Sequence, residues 1–296
     1  MKLGVWLREI RANFLLLSAV LVPLGTSIAV YEGFFNFLHF VLAFVGLVIL
    51  HISVNVLNEY YDYKSGLDFN TIATPFSGGS KVLVMGLIKP ESAYRLGVVC
   101  LAFGTAIGIY FLYAVGWLLL PILILGFIAV YFYTTKLARA MLGEVFAGLG
   151  LGALPILGAY FVQTGFYSTL ALATSLIPGI LTHNLLLLNE FPDVEADAKA
   201  GRRNFVIALG RRKAAKLYSA LTLFAYAWLA FTMVVRIVPV TCLVAFLTLP
   251  HALKAVKTAL AHHDDLQGLM PALASNVIVT LATPALLALG FMLALV

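Results

Sequence analysis

Asn58-Glu59-Tyr60-Tyr61-Asp62 and Asn189-Glu190-Phe191-Pro192-Asp193 repeat one pattern, Asn-Glu-aromatic-x-Asp, 131 residues apart. Each stands where a long apolar run gives way to a charged loop. Carboxylates and amides are expensive at a membrane boundary and seldom stand there without a task. Asp68 follows the first copy and Asp197 the second. His51, Asn55, Asn58 and Asp62 are spaced by four, three and four, which is one helix face descending to the charged end. Ser65-Gly66 then offers a helix stop, because glycine is the usual residue just past a helix end. That stop lets Asp68 turn back toward Asp62. In the second copy Pro192 should kink or restart the helix, and Asp193 and Asp197 share a face of the new turn. Carboxylates about 4 Å apart repel by roughly 1–4 kcal/mol at effective dielectrics between water and protein surface. A cation between them is the natural remedy. Oxygen-only ligands without paired His or Cys favour Mg2+, which commonly binds one or two carboxylates plus substrate phosphates.

Lys199, Arg202 and Arg203 lie just downstream and suit remaining phosphate charge. An ordinary basic loop that sets membrane topology would carry the same residues. Thr74-Pro75-Phe76-Ser77-Gly78-Gly79-Ser80-Lys81 is a glycine-rich turn whose successive N–H groups could form an anion nest, or a plain flexible loop. Tyr131, Tyr133, Lys136 and Arg139 read equally as site aromatics with cations or as an interfacial belt. Gly143, Gly148, Gly150 and Gly152 read as a helix-packing face. His183 and Asn184 read as lining the same cavity or as interhelical hydrogen bonds.

These residues need elements to hold them, and the composition says which. The chain of 296 residues is 62% hydrophobic and 11% charged, with a mean hydropathy of +1.01. Soluble domains carry about 25% charged residues, so this is an integral membrane protein. Cys100 and Cys242 both lie in apolar runs and imply packing, not a disulfide framework. Apolar segments of about 20 residues fall near 13–31, 37–57, 94–113, 117–133, 144–162, 169–190, 215–235, 239–257 and 271–294. With nine spans, 18 of the 19 Lys and Arg residues fall on or beside one side, Arg236 being the exception. The positive-inside rule makes that side cytoplasmic, with the N-terminus inside. The net charge of +6 is therefore read as topology, and no nucleic-acid partner is expected. The expected fold is all-α: one transmembrane domain over 1–296, nine helices in one bundle. Repeat halves near 13–133 and 144–257 run parallel, with a ninth helix at 271–294. The two largest interior loops, 58–93 and 191–214, follow the two motifs.

The pattern Asn58-x-x-x-Asp62 with Asp68, paired with Asp193-x-x-x-Asp197, resembles the two aspartate-rich motifs of the UbiA superfamily of intramembrane prenyltransferases. The resemblance covers most of the chain. Asn-x-x-x-Asp-Tyr-Lys-Ser-Gly-x-Asp and Asp-x-Glu-x-Asp-x-x-Ala-Gly-x-Arg look most like the menaquinone branch, which prenylates 1,4-dihydroxy-2-naphthoate. Glu59 departs from the Asp often found there, and Lys136 has Phe132, not Tyr, four positions earlier. The resemblance implies transfer of a prenyl group from an allylic diphosphate to an aromatic acceptor. It implies Mg2+ held by Asn58, Asp62, Asp68, Asp193 and Asp197, with these four aspartates as the catalytic set. Asn58, Lys81, Arg139, Lys199, Arg202 and Arg203 would bind the diphosphate. His51, Asn55, Tyr61 and Tyr131 would line the prenyl and acceptor pocket. The implied setting is the lipid bilayer of the cell membrane, with the site facing the cytoplasm. Prenylation of 4-hydroxybenzoate, a prenylated glycerol phosphate or a porphyrin-type acceptor stays open. A cation-coupled transporter is the rival of another class, but such sites usually lie near the midplane between discontinuous helices.

Overall fold

The computed structural model describes residues 3–71, 74 and 76–296, so Lys2 and Pro75 lie outside it. The described residues form helices and no strand. In chain order they are α1 (Leu3–Glu9), α2 (Ala12–Tyr31), α3 (Phe37–Ser65), α4 (Pro90–Val115), α5 (Trp117–Tyr131) and α6 (Gly143–Thr164). There follow α7 (Thr169–Asn189), α8 (Val194–Lys199), α9 (Phe205–Leu209), α10 (Arg211–Val234), α11 (Val240–Ala261) and α12 (Leu266–Leu293). Eight of these, α2–α4, α6, α7 and α10–α12, are long and apolar enough to cross a membrane. The segment expected as a fourth span, 117–133, forms the shorter apolar helix α5. Gly116 precedes it at φ +108°, and a turn replaces its last residues, so hydropathy overstated its helical length.

Local chemistry sets most of the boundaries. Asn36 caps α3 by accepting from His39 N at 3.1 Å, and Ser168 caps α7 by accepting from Ala171 N at 3.1 Å. Gly66, at φ +80°, ends α3 in the left-handed conformation that glycine adopts without penalty. Pro192 acts as expected: α7 stops at Asn189, and α8 restarts at Val194 with Asp193 at its cap position.

One well-packed region joins α2, α6, α7, α10, α11 and α12 around Leu21, Leu24, Ile28, Tyr160 and Ile177. Small residues allow the closest approach. A β-carbon on Gly148 would stand 2.6 Å from Gly179 O, and one on Gly152 2.7 Å from Gly179 Cα. The glycine face of α6 is thus a helix-packing face. Asn184 Nδ2 donates to Tyr218 O at 2.8 Å and to Thr222 Oγ1 at 2.9 Å, the interhelical bond expected of it. Within α6 the backbone is irregular at Leu151 (φ −119°, ψ 32°), and the Leu151 carbonyl accepts from Thr182 Oγ1 of α7 at 2.9 Å. Beside this packed region α2–α7 enclose a large cavity, with Val277 and Leu281 of α12 also on its wall.

Candidate active site

That cavity has a volume of about 1220 Å3. Along α3 its wall includes Ala43, Leu47, Leu50, Val54, Asn58 and Asp62, so it follows one helix face from apolar depth to a charged end. The charged groups on its wall gather at that end. Asn58, Asp62, Asp68, Asp193 and Asp197 all line it, together with Arg202 and Arg203. The two distant motifs therefore meet at one site.

Arg202 is the joint between them. Its guanidinium is ion-paired to Asp62 Oδ1 of the first motif and, at 3.4 Å, to Asp197 Oδ1 of the second. Asn58 Nδ2 donates to Asp62 Oδ2 at 2.9 Å and to Thr134 Oγ1 at 3.1 Å. Asn204 Nδ2 holds the other Asp197 oxygen at 3.2 Å while its Oδ1 caps α9. Glu59 is enclosed by Arg11 Nε at 2.7 Å, Ser80 N at 2.8 Å and Ser80 Oγ at 2.7 Å. The glycine-rich loop closes over this cluster. Gly79, at φ +76°, leaves so little room that a β-carbon there would lie 2.8 Å from Asp68 Oδ1. Thr74 Oγ1 fixes the turn by accepting from Ser77 N at 2.8 Å.

The electrostatics follow from crowding acidic groups out of water. Burial, then Glu59 and Asp62, pushes the Asp68 carboxyl up to about 7. Burial pushes Asp197 up to about 6 against the pull of Arg202. Burial also raises Asp193, opposed by Ser77 and Arg202. Burial opposes the charge on Arg202, but Asp62 and Asp197 outweigh it and raise its pKa. Among the described residues no three His, Cys, Asp or Glu groups converge at metal-ligand distance. The donor set nevertheless fits magnesium. It is hard oxygen throughout, Asp68 Oδ2 is buried without a partner, and Mg2+ needs only one or two protein carboxylates beside phosphate and water.

The other sequence-based assignments divide. His51 and Asn55 line the cavity, His51 Nδ1 bonded to Ser18 Oγ at 2.8 Å and Asn55 Nδ2 to Ile10 O at 3.0 Å. Tyr131 does not line it; Tyr133 does, because α5 ends at Tyr131 and the following turn swings the later tyrosine inward. Tyr61 and Arg139 line a smaller recess of about 280 Å3 that shares Asp62 and Arg202 with the main cavity. Lys199 is exposed and borders neither space. Lys81 Nζ is held by Asp68 O and Thr71 Oγ1, so it braces the loop that carries Asp68.

Some contributors had no assigned role in the sequence reading. Arg11 reads there only as a topology charge. Asn189 and Glu190 stand in the repeated motif with no task of their own, and nothing in the spacing singles out Glu144. Glu144 is fully buried, its Oε1 accepting from Phe205 N at 2.6 Å. Burial, and next the Glu144 carboxyl it faces, holds the Glu190 pKa well above the ordinary carboxylate range. The two carboxyls hydrogen-bond each other, Glu190 holding the shared proton, whereas Asn189 Oδ1 is buried with no hydrogen-bond partner. Such an acceptor costs about 1–3 kcal/mol when left without a donor. The sequence signal that could have found Glu190 is its alignment with Glu59 in the repeated pattern.

With this geometry in view, comparison with known proteins is direct. The profile of the UbiA prenyltransferase family matches residues 19–276. The 1,4-dihydroxy-2-naphthoate octaprenyltransferase of Bacillus subtilis is 30% identical over 83% of this chain and 79% of its own length. The UbiA prenyltransferase domain-containing protein 1 of Danio rerio is 28% identical over 79% of this chain and 70% of its own. In fold, the chain resembles a UbiA homolog from Archaeoglobus fulgidus solved with GPP and Mg2+. The TM-score is 0.69 at 16% identity, over 99% of this chain and 100% of that one.

Proposed function

The chain belongs to the UbiA prenyltransferase family as a membrane-embedded prenyltransferase, and from that premise we propose that it transfers a prenyl group from an allylic prenyl diphosphate to an aromatic acceptor such as 1,4-dihydroxy-2-naphthoate. The observation that carries this reading is the meeting of Asn58, Asp62, Asp68, Asp193 and Asp197 around Arg202 at the polar end of an apolar cavity. The acceptor follows the naphthoate relative from Bacillus subtilis, and magnesium follows the Archaeoglobus fulgidus homolog together with the oxygen donor set described above. Bound through Asn58, Asp62, Asp68, Asp193 and Asp197, Mg2+ would neutralise the charge that develops on the leaving diphosphate.

The protein's own groups do the rest. Arg202 and Arg203 face the cavity at the carboxylate end, where a diphosphate brings negative charge. Lys81, pinned to Asp68 O, keeps the glycine-rich loop closed over the site. The tail lies along the apolar stripe of α3, where Leu47, Leu50 and Val54 exclude water from the reacting carbon. Tyr133, on the cavity wall, offers an aromatic face to positive charge developing on that carbon. We place the carboxylate end at the cytoplasmic face of the cell membrane, on the strength of the Lys and Arg asymmetry. In this reading α5 is the ninth crossing of a single domain, and its two halves repeat in parallel, α3 and α7 each ending in a motif at the same cavity.

The test is incubation of purified protein with Mg2+, labelled geranylgeranyl diphosphate and a panel of acceptors, with products read by mass spectrometry. The expected product is prenylated naphthoate. Asp62→Ala and Asp193→Ala should each abolish it in protein that still extracts folded. Near-normal transfer by both variants would remove the basis of the site assignment.

A further inference from the structure

Charge is spread unevenly along the chain. No Asp or Glu occurs between Asp197 and Asp264, or after Asp265, so α9–α12 carry no acidic residue. Arg211, Arg212, Lys213 and Lys216 open α10, and Lys254 and Lys257 stand near the end of α11. The two helices pack in one cluster, through Ala214, Ala215 and Tyr218 on the first and Ala255, Val256 and Ala259 on the second. That register brings the start of α10 beside the end of α11, so the six cations share one end of the bundle. It is also the site's end, since only α9 separates Arg203 from Arg211.

Arg212, Lys213, Lys216, Lys254 and Lys257 are exposed, and among the described residues none is ion-paired. The acids that follow α11 are engaged elsewhere. Asp264 Oδ2 lies 3.2 Å from His263 Nε2, and Asp265 caps α12 by accepting from Gln267 N at 3.0 Å and Gly268 N at 3.1 Å. Other bases at this end keep acidic company: Arg11 and Arg202 are ion-paired, and Lys89 and Arg95 flank Glu91. Away from the charged end both exposed stripes turn apolar at helical spacing. On α10 Lys216 leads to Leu223, Phe224 and Phe231; on α11 Lys254 leads back to Leu247, Leu243 and Val240. Lys254 stands about two turns inside α11, so its chain must extend to headgroup depth to keep the ammonium in polar surroundings. Topology alone asks for positive loops; it does not ask for unopposed bases above an apolar stripe on two adjoining helices. That combination matches an amphiphile with a negative head.

We propose that the outer face of the α10–α11 pair binds anionic phospholipids, with Arg212, Lys216, Lys254 and Lys257 on the headgroup and the apolar stripes along the acyl chains. Each base near an anionic membrane surface is worth about fivefold in binding. The surface is separate from the reaction cavity, and it does not depend on which acceptor that cavity takes.

The test titrates full-length protein in neutral detergent with phosphatidylglycerol or phosphatidylcholine and counts bound lipid by native mass spectrometry. Phosphatidylglycerol should bind about fivefold or more tightly, and the preference should shrink as salt rises. The quadruple variant Arg212→Ala/Lys216→Ala/Lys254→Ala/Lys257→Ala should lose the preference. Lys89→Ala/Arg95→Ala, which removes charge from the same end, should keep it. If the quadruple variant does not fold, the pairs Arg212→Ala/Lys216→Ala and Lys254→Ala/Lys257→Ala should each show a partial loss. Equal binding of the two lipids by wild type, an unchanged preference in the variants, or the same loss in Lys89→Ala/Arg95→Ala would each overturn the assignment. Displacement of the bound lipid by inorganic phosphate would overturn it too, because it would mark a plain anion site.

Discussion

The two Asn-Glu-aromatic-x-Asp stretches share a pattern and a cavity, yet one is locked and the other has loose ends. In the first, Asn58, Glu59 and Asp62 all have partners, drawn from α1–α2, the glycine-rich loop, Thr134 and Arg202. In the second, Asn189 Oδ1 is buried without a partner, Glu190 is paired with another carboxyl, Glu144, and Asp197 is tied by Arg202 and Asn204. The difference comes from neighbours, not from the motif. Arg11 reaches the first copy from the segment before α2. The second meets another carboxyl, Glu144, in place of a cation. One sequence pattern therefore sits in two settings, an ion pair with Arg11 in the first half and a carboxyl pair with Glu144 in the second.

The comparison can be broken at several points. The largest effect should come from Asp62→Ala or Asp193→Ala. Each removes a carboxylate from one copy, and each should lower kcat by about 10²–10³ or more in a prenyl-transfer assay. If only one copy matters, the two are not halves of one site. Arg202→Ala removes the group that ties them and leaves Asp62 and Asp197 buried without their cation. It should destabilise the protein by about 3–5 kcal/mol, read as a lowered Tm in detergent. Arg202→Lys should rescue little, since one ammonium cannot match a planar fork spanning two carboxylates. Glu59→Gln should cost about 1–3 kcal/mol in Tm-derived stability while leaving KM for the acceptor in place.

The smallest signal is a pH slope. Glu9, fully buried near the locked copy, is pushed up to about 8 by burial and then by Glu59, with Arg11 opposing. The folded protein then holds a proton that the unfolded chain releases from about pH 4.5 upward. Stability falls as pH rises through that window toward 8. Thermal melts from pH 5 to 9 should show this decline in wild type and a flatter one in Glu9→Gln.

Hydropathy made the long helices legible, and the paired acidic motifs made their shared end legible, because both signals run along the chain. Pro192 and Gly66 marked real boundaries for the same reason: their backbone limits act locally. What could not be read depended on rotation and distance. Tyr131 and Tyr133 are indistinguishable in the sequence until one knows where α5 stops. Arg202 finds Asp62 across 140 positions and Arg11 finds Glu59 across 48, so no periodicity announces either pair. The helix α1 is too short and too mixed in composition to stand out.

The irregular turn at Leu151 carries one last implication. At bilayer depth there is no solvent to mend a disturbed backbone ladder, so a distortion lasts only if a neighbour supplies the missing donor. Thr182 does so. The bend in α6 is thereby built into the wall around the reaction chamber, and a single hydroxyl on the adjoining helix acts as the pin that keeps its contour.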